Sequence, residues 1–403
     1  MAKKKTTSRK SSSRGTIPLP KNLQGPAAIV VIGLVLLFAF AGLDPLGLFT
    51  EGEQTPAGNG EIASVADTLP SSGSWWEVYF TDPPTTNDPN IIAGSIEEKL
   101  IANINAAQTS IHIAAFEFNL TPVAEALIAA YVRGVEVQWV TDDENGIEAD
   151  EEDGHGQFAM LEEAGIEVKD DGRSALMHNK FWIFDGQTVW TGSTNITQNG
   201  MFRNNNNTIV IRSSRVAAIY EREFQEMWAG EFGPTSTSTL NQQFVTVDGV
   251  SVQVLFAAED DAVDQIIAYI NNARSSIRFM AFSFTQDDLG KAMLARAEDG
   301  VDLAGIFETR GSEIDSSELG NMFCAGYAMR QDGNPGTFHH KVIVIDEQIV
   351  ITGSLNFSEN ADNSNDENVI IISDPAIAKL YLQEFDRRWA EAEAPDAGDL
   401  GCP

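Results

Sequence analysis

The chain has 403 residues, room for two domains of ordinary size, each with its own core. Its hydrophobic share of 43% is that of a globular protein and excludes a chain disordered throughout. The net charge of −33 is unevenly placed: seven basic and no acidic residues precede position 44, which leaves 19 basic against 59 acidic side chains beyond it. Such a body repels polyanions, which argues against tight non-specific binding of nucleic acid.

Residues 1–24 are the basic segment. Ala27 to Leu43, AAIVVIGLVLLFAFAGL, is an apolar run of 17 residues, the short end of what spans a bilayer, so residues 25–43 are assigned as a transmembrane signal anchor. The Lys/Arg bias places residues 1–24 in the cytoplasm and the body outside the cell membrane, as a single-pass protein. A cleavable signal peptide is the alternative, since Ala39-Phe40-Ala41 resembles a cleavage site, and it would make the protein secreted. Residues 44–74, rich in Gly, Pro, Ser and acid, read as a linker.

A first repeat is expected over residues 75–232. It opens on a strand at WWEVYF from Trp75, and Ser95 with Glu98 forms a capping box ahead of Ile96, Leu100, Ile101 and Ile104. SIHIAAFEF, from Ser110 to Phe118, reads as a strand covered on both faces. Thr121 and Pro122 open a helix that ends at Gly134, and VEVQWV is the next strand. This alternation predicts an α/β sandwich around a mostly parallel sheet. Residues 233–243 join it to a second repeat over 244–392, where VSVQVLF and SIRFMAFSF answer the earlier strands. Residues 393–403 are expected to be a frayed acidic tail. Cys324 and Cys402, without histidines nearby, make no zinc site; a disulfide between them stays open.

The strongest signal is internal. HNKFWIFDGQTVWTGSTN, from His178 to Asn195, recurs as HHKVIVIDEQIVITGSLN, from His339 to Asn356, at a constant offset of 161 residues. The offset holds into the next helix, carrying Tyr220, Phe224 and Trp228 onto Tyr381, Phe385 and Trp389, so the chain is a duplication. In His178-x-Lys180 and His339-x-Lys341 the two side chains share one face of a strand. A hairpin turn at Asp185-Gly186 then returns Ser193 and Asn195 to the same edge, and Ser354 with Asn356 does so in the second copy. Two copies facing each other offer two imidazoles, two ammonium groups and two amides. That set suits one phosphodiester, with Lys180, Lys341, Asn195 and Asn356 on its oxygens and the histidines attacking and protonating. Ser193 and Ser354 either bind the same phosphate or cap the local turn, and Asp185 and Asp346 are either catalytic or turn-forming. No residue of the site has metal-ligand spacing, so neither a metal nor another cofactor is expected.

The pattern His-x-Lys-x4-Asp-x6-Gly-Ser-x-Asn resembles the signature of the phospholipase D superfamily, and both copies match it at every named position. The resemblance covers residues 75 to 392. It implies two tandem α/β/α sandwich repeats related by pseudo-two-fold symmetry, a site between them and a covalent phosphohistidine formed without an obligatory metal. It also implies that the N-terminal histidine is the nucleophile and that an acidic residue orients a histidine. Glu367 lies twenty-eight residues after His339, whereas Asn206 lies at that distance after His178. Pairing each with the histidine of its own repeat makes His339 the acid, favoured as imidazolium by a carboxylate, and His178 the nucleophile.

The resulting expectation is a phospholipase D-type phosphodiesterase acting on a phospholipid membrane, by hydrolysis or head-group transfer. Phe202, Phe338 and Phe357 near the motif loops stand as lipid contacts or as packing. With both half-sites in one chain a monomer suffices. The rivals are an endonuclease of the same superfamily, disfavoured by the charge, a cardiolipin-synthase-like transferase, and a catalytically silent phosphate-binding scaffold. His112 and His340 lack motif partners, and the acidic run Asp142 to Asp153, without EF-hand spacing, reads as a solvated loop.

Overall fold

Short stretches rich in β-branched and aromatic residues, broken by Gly and Asp turns, become the strands of two mixed sheets. The computed structural model describes residues 72–402. The expected basic segment, the anchor and all but the end of the expected linker lie outside the described residues. Among the described residues no helix is long and apolar enough to cross a membrane.

The first repeat holds strands β1 (Trp76–Phe80), β2 (Ser110–Ala115), β3 (Glu136–Thr141), β4 (Glu167–Asp170), β5 (Lys180–Phe184), β6 (Thr188–Gly192) and β7 (Asn207–Arg212). Its helices are α1 (Ile96–Ala106), α2 (Thr121–Val132), α3 (Gln157–Glu163) and α4 (Ser214–Trp228). The Ser95 hydroxyl accepts from Glu98 N and caps α1 as expected, while the Glu98 carboxylate reaches back to Gly94 N, one residue before the cap. Thr121 itself is helical, so α2 starts one residue earlier than its cap pattern suggests, with Leu120 at the N-cap.

The second repeat holds β8 (Phe244–Val247), β9 (Val250–Ala257), β10 (Ser276–Ala281), β11 (Asp302–Phe307), β12 (Ala328–Gln331), β13 (Lys341–Ile345), β14 (Ile349–Gly353) and β15 (Glu367–Ser373). Its helices are α5 (Ala262–Ile270), α6 (Asp287–Glu298), α7 (Glu318–Cys324), α8 (Glu359–Asn363) and α9 (Pro375–Glu391).

The sheet orders are β1-β7-β6-β5-β2-β3-β4 and β12-β11-β10-β13-β14-β15-β9-β8. Only the β2-β3-β4 and β10-β11-β12 pairings are parallel; every other ladder is antiparallel. The expectation of mostly parallel sheets is therefore wrong. The motif's own hairpin, β5-β6 or β13-β14, forces antiparallel neighbours at the centre, and the helical crossovers are confined to one end of each sheet.

The core runs in three parts. An outer cluster lies on each repeat, where α1 and α2, or α5 and α6, cover a sheet. A third cluster belongs to both repeats: Phe181, Tyr220 and Phe224 of the first join Phe256, Tyr381 and Phe385 of the second. α4 packs under its own sheet and also against β9, and α9 packs under its own sheet and against β1. The residues after Glu391 are tied down rather than frayed, because Glu393 pairs with Gln331 and Cys402 is disulfide-bonded to Cys324.

Candidate active site between the repeats

The site is assembled by strand ends that cross from one repeat to the other. His178 N donates to Asp366 O at 2.9 Å and Asp366 N donates to Leu176 O at 2.8 Å. In the second repeat His339 N donates to Asn205 O at 2.9 Å and Asn205 N to Thr337 O at 2.8 Å. Each bond maps onto its counterpart by the 161-residue offset, which is the signature of pseudo-two-fold symmetry.

The crossing carries the side chains with it. His178 Nδ1 meets Glu367 of the other repeat, at 2.8 and 2.9 Å from its two oxygens. His339 Nδ1 meets Asn206 Oδ1 at 2.9 Å and Ser193 O at 3.0 Å. This corrects the expected pairing: Glu367 serves His178 and Asn206 serves His339. The strand that follows each motif delivers its orienting side chain across the pseudo-axis, not back to its own histidine.

Burial, then the nearby Lys180 and Lys341 charges, push His178 well below the ordinary histidine range. The same causes act on His339, with the His178 ring adding to them. Lys180 Nζ donates to His178 O at 2.8 Å and Lys341 Nζ to His339 O at 3.0 Å. Burial lowers Lys180 to about 8, and burial with Lys180 beside it takes Lys341 well below the lysine range. Burial pushes Glu367 up to about 8, opposed by the two lysines. Between His178 and Glu367 we place one proton, on the ring nitrogen, because Lys180 and Lys341 favour the carboxylate and disfavour imidazolium.

Asn195 and Asn356 are partly exposed, and each has a buried Oδ1 without a partner, so these side chains are not committed to the protein. The Ser193 hydroxyl is committed within the protein, and Ser354 Oγ is held at the same place in its own repeat. Ser193 Oγ donates to Asn206 Oδ1 at 2.8 Å and accepts from Asn207 N at 3.1 Å, while Ser354 Oγ accepts from Asn368 N at 2.9 Å. The glycine before each serine has φ of 146° at Gly192 and 151° at Gly353, and a Cβ there would strike the carbonyl of Asn207 or Asn368.

Asp185 and Asp346 stand apart from the histidines. Each is at the far end of its strand, about 16 Å along from the lysine. Asp185 accepts from Gln108 N, Thr109 N and Ser110 N, and Asp346 from Arg274 N, Ser275 N and Ser276 N. The catalytic expectation for these two is corrected: they seal the hairpin corner onto the start of β2 or β10.

Other expectations change as well. Phe202, Phe338 and Phe357 are fully packed and meet no acyl chain. Asp142 is buried, accepting from Met177 N and Asn145 N, so the acidic run is not uniformly solvated. The asparagines of residues 205–207 are buried and knit the repeats, Asn207 Oδ1 accepting from Thr352 Oγ1 at 2.9 Å and Tyr381 OH at 3.2 Å. His112 is held by Glu221 at 2.9 Å and stacks on Phe224, away from the motif.

Sequence reading missed Phe116 and Phe282, whose rings lie 5.0 and 4.9 Å from Lys180 and Lys341 Nζ. Their signal was present in the matched strands SIHIAAFEF and SIRFMAFSF. It also missed Glu117, which burial raises and Lys180 lowers, and whose counterpart in that alignment is Ser283.

The family described as "Cardiolipin synthase, PLD-like domain" matches residues 100–228 and 266–389, more than half of the chain and once in each repeat. The mitochondrial cardiolipin hydrolase of Xenopus tropicalis is 35% identical over 132 residues, 33% of this chain and 63% of that protein. The human mitochondrial cardiolipin hydrolase is 32% identical over 132 residues, so this chain spans 52% of its length. Among solved structures, phosphatidylserine synthase from Haemophilus influenzae Rd KW20 aligns with a TM-score of 0.57 at 13% identity, covering 81% of this chain and 88% of its own, a likeness of fold.

Proposed function

Because the chain belongs to the phospholipase D superfamily, with a PLD-like domain in each repeat, we propose that it is a phosphodiesterase that hydrolyses or transfers phospholipid head groups through a phosphohistidine. The observation that carries this reading is the pair of neighbouring imidazoles, each held at Nδ1 by an acceptor from the other repeat. An acceptor at Nδ1 keeps the hydrogen there and leaves Nε2 for chemistry.

In this reading Nε2 of His178 attacks phosphorus, an N–P bond forms and the P–O bond to the leaving alcohol breaks. The leaving oxygen takes a proton from Nε2 of His339. Water, or a second alcohol in transfer, then gives its proton to that nitrogen and attacks phosphorus, and the N–P bond breaks. Glu367 faces the positive charge that appears on the His178 ring once Nε2 is phosphorylated. Lys180, Lys341, Asn195 and Asn356 bind the phosphate oxygens. Burial and the two lysines disfavour the His339 imidazolium without substrate, and the phosphodiester's negative charge, set against the lysines, favours it. The nucleophile assignment to His178 now rests on the family resemblance, since burial and the two lysines lower both rings and the pairing that first supported it is reversed.

The phospholipid reading is supported by the acidic body and by the relatives named cardiolipin hydrolase and phospholipase D, the latter from Rickettsia bellii. Hydrolysis of bis-p-nitrophenyl phosphate separates an enzyme from a phosphate-binding scaffold. Phosphatidylglycerol and cardiolipin liposomes, run beside single-stranded DNA, then decide the substrate. Faster cleavage of DNA would make the protein an endonuclease, and cardiolipin formed from phosphatidylglycerol would make it a synthase.

The proposed location is the outer side of the cell membrane, with the catalytic body held by the anchor. The Cys324–Cys402 disulfide supports an oxidising compartment. Protease added to spheroplasts is expected to digest the body and spare the basic segment; protection of the body would reverse the topology.

A further inference from the structure

α4 and α9 are copies of one helix, yet they treat one buried carboxylate in opposite ways. Glu384 on α9 is buried, hydrogen-bonded to His340 Nε2 at 3.2 Å and paired with two cations, Arg387 Nε at 2.9 Å and Arg388 Nε at 2.9 Å. Burial alone would raise it, but the His340 hydrogen bond and the two arginines hold it at about 2. The 161-residue offset carries Glu384 onto Glu223, Arg387 onto Glu226, Arg388 onto Met227 and His340 onto Asn179. Both arginines and the imidazole are lost, and one arginine position becomes a carboxylate.

Glu223 nonetheless remains only 5% exposed. Burial and then the neighbouring carboxylates Glu259, Asp366 and Glu226 raise it well above the carboxylate range. Glu259 comes from the other repeat, two residues past the end of β9. Carboxylate oxygens of Glu223, Glu226 and Glu259 lie within 4.8 Å of one another, no more than about two calcium–oxygen bond lengths. Glu226 Oε2 and Glu259 Oε2 are buried without a hydrogen-bond partner. The adjacent Asp260 is already satisfied, by Ser238 Oγ, Gln243 Nε2 and Phe256 N, and Arg222 lowers Glu226. A buried carboxylate without a counter-charge is costly, and the two part-buried carboxylates beside Glu223 add like-charge repulsion.

We propose that Glu223, Glu226 and Glu259 bind one hard divalent cation of the calcium class, which does in the first repeat what Arg387 and Arg388 do in the second. An all-oxygen, all-carboxylate set selects such an ion over soft metals, and irregular geometry favours calcium over magnesium. The ion joins α4 of one repeat to the end of β9 of the other. It is a structural tie between the halves and lies outside the reacting groups.

The test uses the full chain, stripped with EDTA and titrated with calcium chloride by calorimetry, with thermal midpoints measured with and without the ion. The expected result is one saturable calcium per chain and a higher midpoint when it is bound. Glu259→Gln is expected to weaken binding by about tenfold or more, through loss of a charged ligand. Glu226→Arg copies the second repeat, so it should abolish the calcium heat while its midpoint in EDTA rises toward that of the calcium-loaded wild type. Absence of saturable binding, or binding unchanged in both variants, overturns the proposal. So does a calcium-independent midpoint that rises in Glu223→Gln, which would mean that the carboxyls simply share protons.

Discussion

At the scale of residues, the family resemblance, with His178 as nucleophile and His339 as acid, divides the labour. His178→Ala is expected to abolish the covalent phosphoenzyme with every substrate and to lower kcat/KM on the order of 10³-fold or more. His339→Ala should still form adduct from a p-nitrophenyl phosphodiester, whose leaving group needs no proton. Acid quench with mass spectrometry reads this, and a phosphoryl group on His339 in the wild type would reverse the roles. The lysines set the alkaline limit. Burial lowers Lys180 to about 8, so its ammonium is present below that pH and is lost above it. Because the charge binds the phosphodiester, kcat/KM is expected to fall as pH rises through about 8. Lys180→Arg, always charged, should move that limb upward even while its poorer fit lowers the rate. An alkaline limb unmoved in that variant would assign it to another group.

At the scale of elements, the hairpin β5-β6 and its copy β13-β14 do two jobs at opposite ends. One end presents the lysine and the Gly-Ser turn to the site; the other anchors the hairpin through an aspartate that accepts three backbone N–H groups. Asp185→Ala and Asp346→Ala are therefore expected to destabilise the protein by about 1–2 kcal/mol each and to leave the pH profile unchanged. Denaturant midpoints and steady-state kinetics check this; a folded variant with kcat reduced a hundredfold would restore a catalytic role. The third motif position was legible as a turn but not as to its purpose. Its partners, Gln108 to Ser110, lie some 75 residues earlier, and no local pattern ties them to it.

At the scale of the whole molecule, the crossed strand ends make the repeats one enzyme-sized unit. Glu367 is useless to its own histidine and Asn206 to its own, so each half lacks an essential partner when alone. All groups of the site come from a single chain, so specific activity is expected to stay constant as the protein is diluted. A loss of activity that follows a monomer–oligomer transition in sedimentation would show that a second copy is needed.

The sequence by itself determined the duplication, the two His-x-Lys motifs and the hairpins that carry them. Those features are written in strand periodicity and short spacings, which act between near neighbours. It also placed the N-terminal cap of α1 and the buried character of SIHIAAFEF. Only the tertiary structure decided which histidine the carboxyl of Glu367 faces and which the amide of Asn206, that the sheets are mainly antiparallel, and that the motif aspartates and Ser193 are tied up within the protein. Each of these depends on how segments far apart in sequence dock, and a pseudo-two-fold axis exchanges the partners that equal spacing makes look local. The unmatched carboxylates of Glu223, Glu226 and Glu259 belong to the same class, since the strand end that completes them arrives from the other repeat.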